Sequence, residues 1–140
     1  MKRGFVLKNF KPIGFKGLGK LKLADLTIND KGFVFSIQPA GSIKSDGREE
    51  IDLAGSFLSP GWIDLHTHIG VGDFLVQAEE VGPATGVVML ADAGSYGSIN
   101  FSMFREFIVN RVEFPIKAYI NISKLGMPDG TVTHLTEIMG

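Results

Sequence analysis

The segment Pro60-Gly61-Trp62-Ile63-Asp64-Leu65-His66-Thr67-His68 couples a Pro-Gly break to an apolar run carrying an aspartate and two histidines at every second position. Read as a β-strand, it sets Asp64, His66 and His68 on one face and Ile63, Leu65, Thr67 and Ile69 on the other, because successive side chains alternate across the pleat. The two imidazoles are then separated by two strand rises, roughly 6.5 to 7 Å at the backbone. At that spacing they can converge on one ion at nitrogen-to-metal distances of about 2.0 to 2.1 Å. A bare His-x-His is also compatible with a solvated edge strand whose imidazoles pair with water or carboxylates. The preceding Pro-Gly, the aspartate two places earlier and the apolar opposite face favour the metal.

On either side of Ser59-Pro60-Gly61 the texture differs. Toward the amino terminus, short runs separated by turn residues predict strands at Phe5-Val6-Leu7, Leu21-Lys22-Leu23, Asp25 to Ile28, Phe33 to Ile37, Ile51-Asp52-Leu53 and Phe57-Leu58. Asn29-Asp30-Lys31-Gly32 reads as the turn of a hairpin, and Gly47-Arg48-Glu49-Glu50 as another turn. Residues 1–59 are thus expected to form a small antiparallel β module without helix. After Pro60, apolar runs at Trp62 to His68, Val87 to Asp92 and Ile116 to Ser123 alternate with helical segments, the pattern of βαβ units on a parallel sheet. Ser98-Ile99-Asn100 is expected to cap a helix carrying Phe101, Phe104 and Ile108 at helical spacing, joined by Met103 and Phe107. A shorter helix is expected over Phe74 to Val81, ended by Gly82-Pro83.

Composition narrows the function classes. With 140 residues, 44% hydrophobic and 21% charged, the chain has an ordinary globular composition. A net charge of -1 gives no electrostatic reason to expect nucleic acid or an anionic membrane as partner, which leaves a small-molecule substrate as the default. There is no cysteine, so a transition metal must be held by nitrogen and oxygen, and a reducing cytoplasmic setting is expected. Lys8 and Lys11 interrupt the first apolar run before it resembles an export signal, and no apolar stretch approaches the roughly 18 residues of a membrane span.

Phe57-Leu58-Ser59-Pro60-Gly61-Trp62-Ile63-Asp64-Leu65-His66-Thr67-His68 resembles the first barrel strand of the amidohydrolase superfamily. Ala78 to Gly86, Val87 to Ser95 and Ile116 to Ser123 resemble its dihydroorotase-like and deacetylase-like branch, so the resemblance covers most of the chain. It implies an α/β fold: a metal-dependent (β/α)8 TIM barrel beside a small β-sandwich built from both ends of the polypeptide. It further implies one or two divalent metals, usually Zn2+, and hydrolysis of amide, cyclic amide or acetyl bonds in small metabolites by metal-activated hydroxide. In that family the His-x-His pair, here His66 and His68, binds the more buried metal. The bridging carboxylated lysine, the later histidines and the proton-shuttling aspartate fall on later strands that residues 60–140 do not reach. About 250 residues close such a barrel, whereas this stretch holds three βα units. An open three-stranded sheet is expected to leave apolar surface and an edge uncovered, and the 140 residues alone are expected to be inactive. The full-length protein is expected to be a homo-oligomer.

Weaker candidates follow from position. Asp64 can act as a buried structural acceptor or orient His66 from behind, as carboxylates commonly do for metal-bound imidazoles. Asp92, Asn121 and Ser123 lie near the carboxyl ends of strands, where barrel enzymes keep their chemistry, and can line a substrate pocket or serve turns and caps. Lys117 lies at the start of its strand, the wrong end for a metal bridge. His134 would join the pair only if the chain folded back on itself. Gly94-Ser95-Tyr96-Gly97 lacks the spacing of a phosphate-binding loop.

Overall fold

A computed structural model describes residues 4–71 and 75–127. Phe74 and His134 lie outside the described residues. The chain divides into two compact units, Met1–Pro60 and Gly61–Gly140.

The first unit is one five-stranded sheet of β1 (Phe5–Pro12), β2 (Ala24–Ile28), β3 (Val34–Pro39), β4 (Glu49–Asp52) and β5 (Phe57–Leu58). The β2–β3 hairpin turns at the expected place. The Asn29 carboxamide oxygen accepts the N–H groups of Lys31 and Phe33, at 3.0 and 2.9 Å, and Gly32 supplies the positive φ of 83°. The expectation of a wholly antiparallel module is corrected: β1 pairs antiparallel with β2 but parallel with β4 and with β5. Among the described residues the strands of this unit belong to a single sheet. Leu21 to Leu23 forms no strand; Leu21 instead packs on the buried core of Phe10, Ala24 and Leu26.

The second unit is a three-stranded parallel sheet in the order β6 (Trp62–Thr67), β7 (Val87–Asp92), β8 (Ile116–Ala118). Between β6 and β7 lie the one-turn helix α1 (Ala78–Val81) and a 3₁₀ turn at Pro83–Thr85; between β7 and β8 lie α2 (Phe101–Phe107) and a 3₁₀ turn at Val109–Arg111. These two βαβ crossovers fold over a core of Ile69, Ala78, Leu90 and Phe104, all buried. Phe104 faces inward as its spacing predicts, while Met103 and Phe107 stay exposed. Asn100 begins α2 without capping it: its side chain accepts Gly97 N–H at 2.9 Å and donates to the Leu125 carbonyl at 2.8 Å. β8 stops at Ala118, short of the expected Ser123, because the backbone then leaves the ladder to bond Asp92 and Tyr96. No helix among the described residues is long and apolar enough to cross a membrane.

Candidate metal centre

The histidine pair lies at the carboxyl end of β6. The pairing of β6 with β7 is irregular and bulge-like: Trp62 and Ile63 pair with Val87 and Met89, one step against two, while Asp64 and Thr67 pair with Leu90 and Asp92, three against two. Such a bulge frees one backbone group from the ladder and re-aims the side chains beside it. Here the freed group has a local acceptor, since Asp64 Oδ1 takes the His66 N–H at 2.9 Å. Asp64 therefore holds the backbone of His66, and the expected link from its carboxylate to the His66 ring is not the contact that the structure presents. The imidazoles of His66 and His68 lie side by side, ring centroids 5.4 Å apart and planes at 88°.

His68 is anchored from β7. Its Nδ1 lies 3.1 Å from Ser95 Oγ, which in turn lies 2.6 Å from Asp92 Oδ2. Asp92 is fully buried; its Oδ2 also accepts Ile69 N–H at 2.9 Å, and its Oδ1 accepts the N–H groups of Gly94 and Ser95 at 3.0 and 2.8 Å. The Tyr96 phenol is pushed above its ordinary value by burial, and further by the nearby Asp92 charge. Its ring stacks on Phe104 at 4.4 Å.

The other candidates separate from the pair. Asn121 donates to the Gly94 carbonyl at 2.8 Å and accepts Ser123 N–H at 2.9 Å, and Ser123 is buried. Asn121 thus ties the 94–97 loop to the segment after β8, and Asp92 holds the loop that carries Ser95 behind His68. Lys117 is an exposed residue of β8, paired in register with Ala91. Ser95 was not singled out from the sequence; its only signal there is the Asp-x-x-Ser spacing, which suits a local turn in which the carboxylate meets the serine backbone.

A divalent ion can be tested against these donors. Two imidazoles held this close fit two nitrogen positions of a zinc-type site, and the described residues contain no cluster of three or more histidines and carboxylates, where catalytic zinc takes three protein ligands. The fit is that of a partial ligand set. A cleft lined by Ile69, Gly70, Gln77, Glu79, Phe107 and Arg111 begins at the residue after His68 and includes neither histidine.

No family model matches the chain. A deacetylase of Agrobacterium fabrum is 38% identical over 124 residues, covering 87% of this chain and 30% of the relative. A deacetylase of Brucella anthropi is 35% identical, covering 87% and 31%. The crystal structure of a dihydroorotase superimposes with a TM-score of 0.75 at 35% identity, over 89% of this chain and 32% of the other. These likenesses put the chain with the amidohydrolase superfamily, and the described residues are of α/β architecture. Within it, the similarity is to members named deacetylase and dihydroorotase. The chain spans about 30% of the length of the curated relatives it matches.

Proposed function

We propose that the whole protein is a metal-dependent hydrolase of an amide, cyclic amide or acetyl group in a small metabolite, and that His66 and His68 are two ligands of its metal, Zn2+ in the simplest case. The observation that carries this reading is the juxtaposition of the two imidazoles, 5.4 Å apart at the carboxyl end of β6. Binding sites of parallel α/β folds gather at that end of the strands. When bound there, a divalent ion supplies an activated water at neutral pH and polarises the scissile carbonyl. His66 and His68 would hold the ion, Asp64 fixes the backbone N–H of His66, and Asp92 with Ser95 steadies His68 from behind. In this reading the remaining ligands, the proton shuttle and the strands that close a barrel lie in sequence outside these 140 residues. The 140 residues alone are then inactive, with weak zinc binding at most, as the two-histidine ligand set suggests.

His66→Ala and His68→Ala in the full-length protein test the assignment. Each is expected to lose bound metal and to reduce hydrolysis of an N-acetyl amino acid and dihydroorotate panel to background. Chelation of the unaltered protein is expected to do the same, with recovery on adding Zn2+. Wild-type turnover in either variant would sink the reading.

A further inference from the structure

We propose that Ser95 is a positioning residue for His68: its hydroxyl, held by Asp92, accepts the Nδ1–H of His68 and so fixes the ring in the tautomer whose Nε2 lone pair faces outward. The inference rests on the metal reading above for its purpose, though not for its geometry. A serine hydroxyl carries one hydrogen, and a neutral imidazole can present either nitrogen as donor. The Ser95 Oγ to Asp92 Oδ2 separation of 2.6 Å is that of an O–H donating to a carboxylate. Were the hydrogen turned toward His68 instead, two oxygens would face each other at that distance with no proton between them. The hydrogen therefore lies on the Asp92 side, and the 3.1 Å contact leaves His68 Nδ1 as the donor.

The arrangement is rigid where it must be. Both Asp92 oxygens already receive backbone N–H groups, which fixes the carboxylate against rotation. Ser95 is buried, its carbonyl accepts Met127 N–H at 2.9 Å, and the Gly94 carbonyl is held by Asn121. Imidazole ligands of metals are commonly fixed in this way by an acceptor on the other nitrogen. Here the acceptor is a hydroxyl, with the carboxylate one step further back.

The test uses the full-length protein, metal-free and labelled with 15N-histidine, at a pH above the imidazole titration range. His68 is assigned by the signal lost in His68→Gln. The expected result is His68 protonated on Nδ1, retained in Ser95→Thr and in His66→Ala. Ser95→Ala is expected to lose that preference and to bind Zn2+ about 10- to 100-fold more weakly in chelator competition, with Ser95→Thr restoring affinity. His68 protonated on Nε2 in the unaltered protein overturns the inference whether or not the serine variants fold. So does a Ser95→Ala protein that binds Zn2+ as tightly as the wild type. If the unaltered protein binds no Zn2+ while His68 still carries its proton on Nδ1, the metal reading fails and the tautomer assignment stands.

Discussion

Lys8 Nζ sits 2.7 Å from Oδ2 of Asp25, a carboxylate with no solvent exposure on the neighbouring antiparallel strand. Lys8 also donates to the Ile43 carbonyl at 2.9 Å, and Asp25 accepts the N–H groups of Asn9 and Gly41 at 3.0 and 2.9 Å. Asn9 needs that acceptor, because its left-handed φ of 57° takes it out of the β1 ladder at a bulge. Replacing Asp25 by Ala would strand an ammonium and two amides, and breaking such a buried pair costs about 3 to 5 kcal/mol. Hydrogen exchange in peptides covering β1 to β3 is expected to accelerate accordingly in Asp25→Ala; unchanged protection would contradict the account.

The same pair gives an acid limit. Burial alone would raise the Asp25 carboxyl, but the Lys8 hydrogen bond and the backbone amides of Asn9 and Gly41 hold it below the ordinary value of 3.8. A carboxyl whose folded-state value is depressed contributes stability that is fully present above its unfolded value, and loses it as pH falls through the folded one. Protection of β1 and β2 is therefore expected to be flat above about pH 5 and to decline below about pH 4, with a smaller decline in Asp25→Asn, where Asp52, also held below its ordinary value by the Ala54 amide and the Asn9 side chain, still titrates.

Asp92→Ala is expected to be more damaging than any change at Ser95. It leaves the amides of Ile69, Gly94 and Ser95 without their acceptor in a buried place. At about 1 to 3 kcal/mol for each unsatisfied group, the sum competes with the whole stability of a domain. Little folded protein should accumulate, as read by yield and thermal melting. A variant melting within a few degrees of wild type would show that water replaces the carboxylate.

Gly97→Ala tests the clamp on the same loop. A Cβ at this position would fall onto the carbonyl oxygens of Ser123 and Lys124, which are backbone and cannot swing away. Overpacking of this kind typically costs about 1 to 3 kcal/mol. The loop should shift, so that Zn2+ affinity and thermal stability of the full-length protein fall together.

Leu65 reports on what covers β6. Its side chain is 68% exposed in the 140 residues, and Ile63 and Val88 are also exposed. A closed barrel packs helices against the outward faces of its strands. In the full-length protein Leu65→Ala is then expected to cost about 2 to 5 kcal/mol, as at a core site. A change within about 0.5 kcal/mol would mean that this face stays open.

How far the sequence carries the structure depends on the kind of signal. β7 begins and ends where its apolar run does, Val87 to Asp92, because a strand buried between neighbours leaves a continuous hydrophobic stretch. The hairpin at Asn29 to Gly32 is equally legible, since its side-chain and glycine requirements are local. The parallel pairing of β4 and β5 with β1 is not: alternation says which face is covered, not which way the neighbour runs. The histidine pair is visible as a spacing, but Ser95 is visible only as a serine three places after an aspartate. Its meeting with His68 joins residues 27 apart in sequence across two strands.

The bulge in β6 makes the histidine pair sensitive to chain length in a way that substitutions do not probe. Three steps from Asp64 to Thr67 are matched to two on β7, while the single step from Trp62 to Ile63 is also matched to two, so the irregularities cancel and five steps on β6 span five on β7. Deleting Leu65 would leave four steps against five and keep the His-x-His spacing, whereas deleting Thr67 would make the two histidines neighbours in the chain. Neighbouring side chains point to opposite faces of a strand, so deletion of Thr67 should separate the two imidazoles although both histidines are still in the chain.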